Sequence, residues 1–284
     1  MTTEENGIGN GSGNKRGEMI AVCSAKGGIG RTVMAVNLAV ALSKNNRLAV
    51  SVLDGDFQFG DVSLAMDLHP TFTMKDVVEG IEGIDAFTLA SYLNRHSSGV
   101  RVMAAPERPE QADLVTPAII HQVCELLSAQ HDYVIIDTGV GLQESTLAFI
   151  EKADQVLVLT TLEMTAIRGA KAMLDTLELL GMRGKAQVVV NRSTMESVIK
   201  ATDVPDILGE ESPAYVPNDF QIVSQSLNIG VPFVMNQGKT EIARAIFKMA
   251  EQLISRREIA VFKPKQASFL QSLLHKAKGS ASLF

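Results

Sequence analysis

The sequence predicts an α/β protein with a doubly wound, mostly parallel sheet flanked by helices. Three observations carry that prediction. Apolar runs of six or seven residues recur along the chain and stay apolar throughout, as strands covered on both faces do. Helical windows separate the runs, the order that parallel strands joined by right-handed crossovers require. A glycine cluster stands between the first run and the first helical window, where open α/β sheets bind ligands.

The elements follow in order. Residues 1–18, rich in Gly, Asn, Glu and Lys, read as a disordered tail. The first strand is MIAVCS (19–24), and a helix is expected over 31–44, with Val33, Val36, Leu38, Val40, Ala41 and Leu42 among small residues. LAVSVLD (48–54), GVRVMAA (99–105), DYVIIDT (132–138), DQVLVLT (154–160) and KAQVVVN (185–191) supply five more strands. SPAYVP (212–217) is short and fits an edge strand. Helical windows fall at 73–95 (broken by glycines), 116–129, 143–152, 163–181, 219–228 and 239–257. One domain is expected over 19–258, followed by a basic segment, 259–284.

Composition narrows the class. The chain has 284 residues, 46% hydrophobic and 20% charged, enough apolar sequence for a sizeable core. Its net charge of −6 argues against a general affinity for nucleic acid. Two cysteines, Cys23 and Cys124, sit in apolar runs and read as buried free thiols of a reducing compartment. No run reaches the roughly 18 apolar residues of a membrane span, and the N-terminus has no signal-peptide core, so a cytoplasmic protein is expected. The histidines show no metal-ligand spacing with the cysteines, and Ser24 and Ser43 have no visible His/Asp partners for nucleophilic hydrolysis.

The chemistry concentrates at AKGGIGRT (25–32). Gly27, Gly28 and Gly30 let backbone N–H groups close around phosphate oxygens without Cβ clashes. The helix that follows points its positive end at the same place. Thr32 supplies a hydroxyl suited to Mg²⁺. Two carboxylates, Asp54 and Asp56, close the second strand in LDGDFQFGD (53–61); one is placed to orient an attacking water, and a loop cap is the other reading of Asp54. Asp137 ends the apolar part of DYVIIDT, where a carboxylate holds Mg²⁺ through water.

KGGIGRT, with Lys26 ahead of the glycines, resembles the deviant Walker A motif of the MinD/ParA superfamily. LDGDFQFGDVSLAMDL (53–68) is similar to the segment after that family's second strand, above all in the CpaE/TadZ branch, which positions Tad-type pili. DYVIIDT resembles its Walker B strand, and VVVNR (188–192) and VPNDF (216–220) its two base-pocket segments. The likeness runs from about Met19 to Arg257. It implies ATP with Mg²⁺, since 191–194 reads Asn-Arg-Ser-Thr and not the GTP-type Asn-Lys-x-Asp. Lys26, Gly27, Gly28, Ile29, Gly30, Arg31, Thr32 and Val33 are then the phosphate-binding set, with Asn191, Arg192, Pro217 and Asn218 around adenine. Thr32, Asp56 and Asp137 are the implied metal set. Lys26 and Asp56 are the implied catalytic pair: Lys26 reaching across a nucleotide-sandwich homodimer to the partner's phosphates, and Asp56 orienting water.

Arg31 departs from the family's usual loop lysine. Arginine keeps the charge but is longer and planar, with fixed donor directions. Losing a well-placed charge at a transferring phosphate costs about 3 kcal/mol of barrier. ATP binding is therefore expected to persist, and hydrolysis to be slow or absent. Arg31 suits the CpaE/TadZ branch better than MinD, Ala25 is tolerated in that branch, and DTGVG (137–141) lacks the proline usual in the family's switch region. The reading is an ATP-dependent positioning switch for polar machinery such as pilus or secretion assembly. A non-hydrolysing scaffold and a MinD-like division-site or ParA-like segregation ATPase are the alternatives.

The end of the chain carries its own pattern. From Arg256 onward, six Lys/Arg face one acid, Glu258. On a helix starting near Gln266, Phe269, Leu270, Leu273 and Leu274 share one face flanked by lysines, the pattern of a short interfacial membrane helix. It also resembles the membrane-targeting helix of MinD proteins. Docking on the protein's own surface or on a partner, and disorder, are the other readings. Leucines among the basic residues favour lipid over DNA, so peripheral association with the inner face of the cell membrane is expected.

Overall fold

Every apolar run becomes a strand in the computed structural model, which describes residues 16–44 and 47–262. The strands are β1 (Glu18–Cys23), β2 (Val50–Gly55), β3 (Asn94–Arg95), β4 (Arg101–Met103), β5 (Tyr133–Thr138), β6 (Gln155–Thr160), β7 (Ala186–Val190) and β8 (Ala214–Tyr215). The helices are α1 (Arg31–Leu42), α2 (Val62–Ala65), α3 (Met74–Glu79), α4 (Ala86–Tyr92), α5 (Pro117–Gln130), α6 (Glu144–Lys152), α7 (Met164–Leu179), α8 (Val204–Leu208), α9 (Phe220–Ile229), α10 (Phe233–Asn236) and α11 (Glu241–Phe262).

The strands form one sheet in the order β3-β4-β2-β5-β1-β6-β7-β8, parallel except for the β3–β4 pair. Alternate residues of β1 point to opposite faces. Ile20 and Val22 join a core with Leu38, Ile246 and Leu253 under α1 and α11. Met19 packs in a second core with Val123, Cys124, Leu127 and Phe149 of α5 and α6, and Ala21 and Cys23 in a third with Ile167 and Leu174 of α7. Both faces are thus covered, which is why β5 reads YVIIDT with every residue buried.

The structure departs from the sequence reading at several places. Residues 16–18 are not tail-like: Glu18 opens β1, and Arg16 pairs with Asp154. Helix α1 stops at Leu42, two residues short of the expected end, with Ser43 as its C-cap. The 73–95 window splits at its glycines into α3, a 3₁₀ turn (Ile81–Gly83) and α4, which Asp85 caps by accepting from Thr88 N at 2.7 Å. Its last residues leave the helix altogether, because Asn94 and Arg95 pair antiparallel with β4. Helix α11 continues to Phe262, past both the expected helix end and the expected domain boundary. The short helices α2, α8 and α10 hold only four or five residues each, too few for a periodic pattern to mark them. Phe269, Leu270, Leu273 and Leu274 lie outside the described residues. No described helix is long and apolar enough to cross a membrane.

Both cysteines are free and buried, as expected. Burial pushes the thiols of Cys23 and Cys124 up to about 12. Native protein at pH 8 is therefore expected to leave a thiol-reactive probe such as DTNB almost unreacted, and denatured protein to react at both positions. Fast labelling of native protein would place a cysteine at the surface.

Candidate nucleotide site

The site lies past the C-terminal ends of β1, β2 and β5, where the strand order reverses around β1. The loop after β1 turns through Gly28 (φ 72) and Gly30 (φ 100) before α1 starts at Arg31. Gly30 is needed twice over. A side chain disfavours that φ, and a Cβ there would sit 2.6 Å from Asn191 Nδ2. The close approach has a purpose. Asn191 Nδ2 donates to Ile29 O at 2.7 Å, and Arg192 Nη2 donates to Gly28 O at 3.0 Å. The segment after β7 is thereby fastened to the backbone of the phosphate loop.

Asp54 and Asp137 stand in register on neighbouring strands, and both are buried. Asp54 is a loop cap: its carboxylate accepts from Asp56 N at 3.3 Å and Val62 N at 3.1 Å. The turn folds so tightly over it that a Cβ at Gly60 would meet both carboxyl oxygens at 2.4 Å. Asp56 is only partly buried and reaches the site, with Oδ1 accepting from Phe59 N at 3.3 Å.

Asp137 accepts from the Thr32 hydroxyl at 2.6 Å through Oδ2. Its other oxygen is buried with no hydrogen-bond partner. Burial pushes the Asp137 carboxyl up to about 7, against the pull of the Thr32 hydrogen bond and the Arg31 charge. Burial, and then the neighbouring Asp137, raise Asp54 well above the usual carboxylate range as well.

Arg31 folds inward and makes three bonds. Nε donates to Thr138 O at 2.9 Å, Nη1 to Ser24 Oγ at 3.0 Å and Nη2 to Asp56 Oδ2 at 3.4 Å. Ser24 in turn donates to Lys26 O at 2.7 Å.

These groups open onto a cavity of about 420 Å³. Gly28, Ile29, Gly30, Arg31, Thr32, Val33, Asp56, Asn191, Arg192, Pro217 and Asn218 all line it. Lys26 and Gly27 do not: both are exposed, and the Lys26 stem lies beside Gly169 of α7. Asp137 stands behind Thr32. The sequence reading missed the apolar wall that completes the cavity, made by Val223 and Leu227 of α9 and Ile246 of α11, with Phe59 and Phe220 exposed at its rim. Both phenylalanines lie in quoted segments: Phe59 in LDGDFQFGD, singled out for its carboxylates, and Phe220 in VPNDF, singled out for Pro217 and Asn218.

Similarity to known proteins agrees with this geometry. A family profile described as an AAA domain matches residues 17–190. The chain is 30% identical over 260 residues to the uncharacterized ATP-binding protein MJ0547 of Methanocaldococcus jannaschii, covering 90% of this chain and 94% of that one. It is 28% identical over 246 residues to the septum site-determining protein MinD of Thermotoga maritima, covering 84% and 88% respectively. The solved structure of a ParA family ATPase from Chlorobium tepidum TLS superposes with a TM-score of 0.78 at 20% identity, covering 84% of this chain and 99% of that one. The phosphate loop, the carboxylate-tipped strands and the sheet order thus belong to a known lineage: this chain is a member of the AAA-domain family of P-loop ATPases, within the MinD/ParA superfamily.

Proposed function

We propose that the protein is an ATP-dependent dimerising switch that positions other machinery, with Tad-type pilus or secretion assembly as its setting. One observation carries the reading. The phosphate loop, Thr32, and the Asn191–Arg192 and Pro217–Asn218 segments share one cavity, while Lys26, two residues before Gly28, stays outside it and exposed. A lysine placed so suits the phosphates of a second copy. Arg31 in the loop supports the CpaE/TadZ branch over MinD.

The residues present fit Mg²⁺. Asp137 keeps one buried oxygen without a partner and holds the Thr32 hydroxyl on the other, an arrangement that a cation coordinated by that hydroxyl would complete. When bound with a nucleotide, Mg²⁺ neutralises phosphate charge. No group of three or more His, Cys, Asp or Glu among the described residues makes a protein-only cage, so phosphate and water oxygens would supply the remaining ligands. Asn191, Arg192 and Pro217 form the side of the cavity toward the base, and the apolar wall of α9 excludes water there. Asp56, which lines the same cavity, is the acid that would orient an attacking water.

Membrane association rests on the pattern of Phe269, Leu270, Leu273 and Leu274. One such helix binds weakly, and two on an ATP-held dimer bind together at high effective concentration. A non-hydrolysing scaffold is the second reading, favoured by the engagement of Asp56 with Arg31.

Light scattering and vesicle co-sedimentation of the full chain with ATP, ADP and no nucleotide test the reading, with phosphate release followed in the same tubes. ATP-specific dimerisation and pelleting are expected, and Lys26→Ala is expected to lower dimerisation at least ~10-fold, as loss of a buried charge contact across an interface does. Unchanged association of Lys26→Ala would refute the sandwich. Pelleting without phosphate release would select the scaffold.

A further inference from the structure

We propose that Arg31 is a strap that holds Asp56 while the loop is free of phosphate and yields it when phosphate enters. The inference rests on the nucleotide-binding reading and adds a regulatory step to it.

Three observations carry it. The Arg31 side chain is 10% exposed, although it begins at the first residue of α1. Its guanidinium reaches acceptors at the ends of three adjacent strands: Ser24 after β1, Asp56 after β2 and Thr138 closing β5. A planar fork with five N–H donors can serve three acceptors spread in this way, and a lysine ammonium, one point at the end of its stem, cannot. The bonds are also unequal. Those to Thr138 O and Ser24 Oγ, at 2.9 and 3.0 Å, fix the plane, while the bond to Asp56, at 3.4 Å, is the longest. Asp56 is also the more exposed member of its ion pair, at 23%. It is the contact that gives way.

Phosphate oxygens are stronger competitors for a guanidinium edge than one carboxylate oxygen at 3.4 Å, because they bind it bidentately at shorter distance. When phosphate takes Nη2, Asp56 is released. Phe59 moves with it, since its N–H is held by Asp56 Oδ1. Phosphate occupancy is thereby passed to an exposed aromatic at the cavity rim. Arg31 is a positioning residue in this scheme, acting on Asp56.

The test is a double-mutant cycle on the full chain with Arg31→Lys, Asp56→Asn and the double variant. It is read by melting of the nucleotide-free protein and by ADP affinity in EDTA, so that no contact between Asp56 and Mg²⁺ enters the comparison. In the free protein the two substitutions are expected to be non-additive. Asp56→Asn is expected to tighten ADP binding ~5-fold in the wild-type background, where it removes the competitor, and less than ~2-fold in the Arg31→Lys background. General charge repulsion between Asp56 and phosphate would give equal changes in both backgrounds, and that result overturns the strap. Arg31→Gln is the second break of the pair should Arg31→Lys fail to fold. A wild-type chain that binds no ADP, in EDTA or with Mg²⁺, overturns the nucleotide reading and, with it, release by phosphate. The hold on Asp56 is then judged from the free-protein melts, where additive shifts overturn it.

Discussion

Asp137→Asn is expected to stabilise the nucleotide-free protein at pH 8 and to weaken Mg²⁺-dependent nucleotide binding at least ~10-fold, as loss of a residue that orients a metal ligand does. The opposite signs come from one cause. In the folded chain burial keeps the Asp137 carboxyl protonated up to about 7, whereas the unfolded chain releases that proton near the ordinary 3.8. Between those values the folded state binds more protons, so stability falls as pH rises from about 4 to 7, and above 7 the whole penalty is present. Three pKa units correspond to about 4 kcal/mol as an upper bound. Asparagine removes the charge but buries an amide that lacks full hydrogen bonding, so a gain of ~1–3 kcal/mol is expected. The melting curve should flatten across pH 5–8. A variant less stable than wild type at pH 8 would mean that the carboxylate is satisfied in the free protein and is not held in reserve for a cation.

Gly30→Ala is expected to cost ~2–3 kcal/mol of stability and most of the nucleotide affinity. A residue with a Cβ at φ 100 accounts for about 1–2 kcal/mol of that. The rest follows from Asn191, whose Nδ2 would have to move from 2.6 Å and release Ile29 O, a hydrogen bond of about 1 kcal/mol. Denaturant unfolding gives the stability and equilibrium dialysis of ADP the affinity. By contrast, Gly184→Ala is expected to leave both unchanged within ~0.5 kcal/mol, since a Cβ there meets nothing within 4 Å and no positive φ is required. A Gly30→Ala protein that binds ADP normally would show that the Asn191 anchor does not shape the loop.

The central strands were legible because parallel strands buried on both faces leave unbroken apolar runs, as in YVII (133–136) and VLVL (156–159). The phosphate loop was legible because its glycines are dictated by backbone geometry at Gly28 and Gly30. The parts that escaped are set by tertiary contact. Asn94 and Arg95 pair with β4 only because the chain turns back at Gly99, and two residues give no periodicity to read. Asp54 and Asp56 are two positions apart and alike in type; only the fold separates a buried cap from a partly exposed acid. The inward path of Arg31 likewise depends on Ser24, Asp56 and Thr138 meeting at one point. The apolar wall of α9 was hidden because Val223 and Leu227, four residues apart, look like any helix's core face.

The most direct test of the account is calorimetric titration of the full chain with ATP and with ADP, each with Mg²⁺ and with EDTA. Saturable binding of one nucleotide per chain, weakened when Mg²⁺ is removed and again by Asp137→Asn, is the predicted result. Absence of binding with either nucleotide in the presence of Mg²⁺ would contradict it, and would leave the strand ends as a structural relic that holds no ligand.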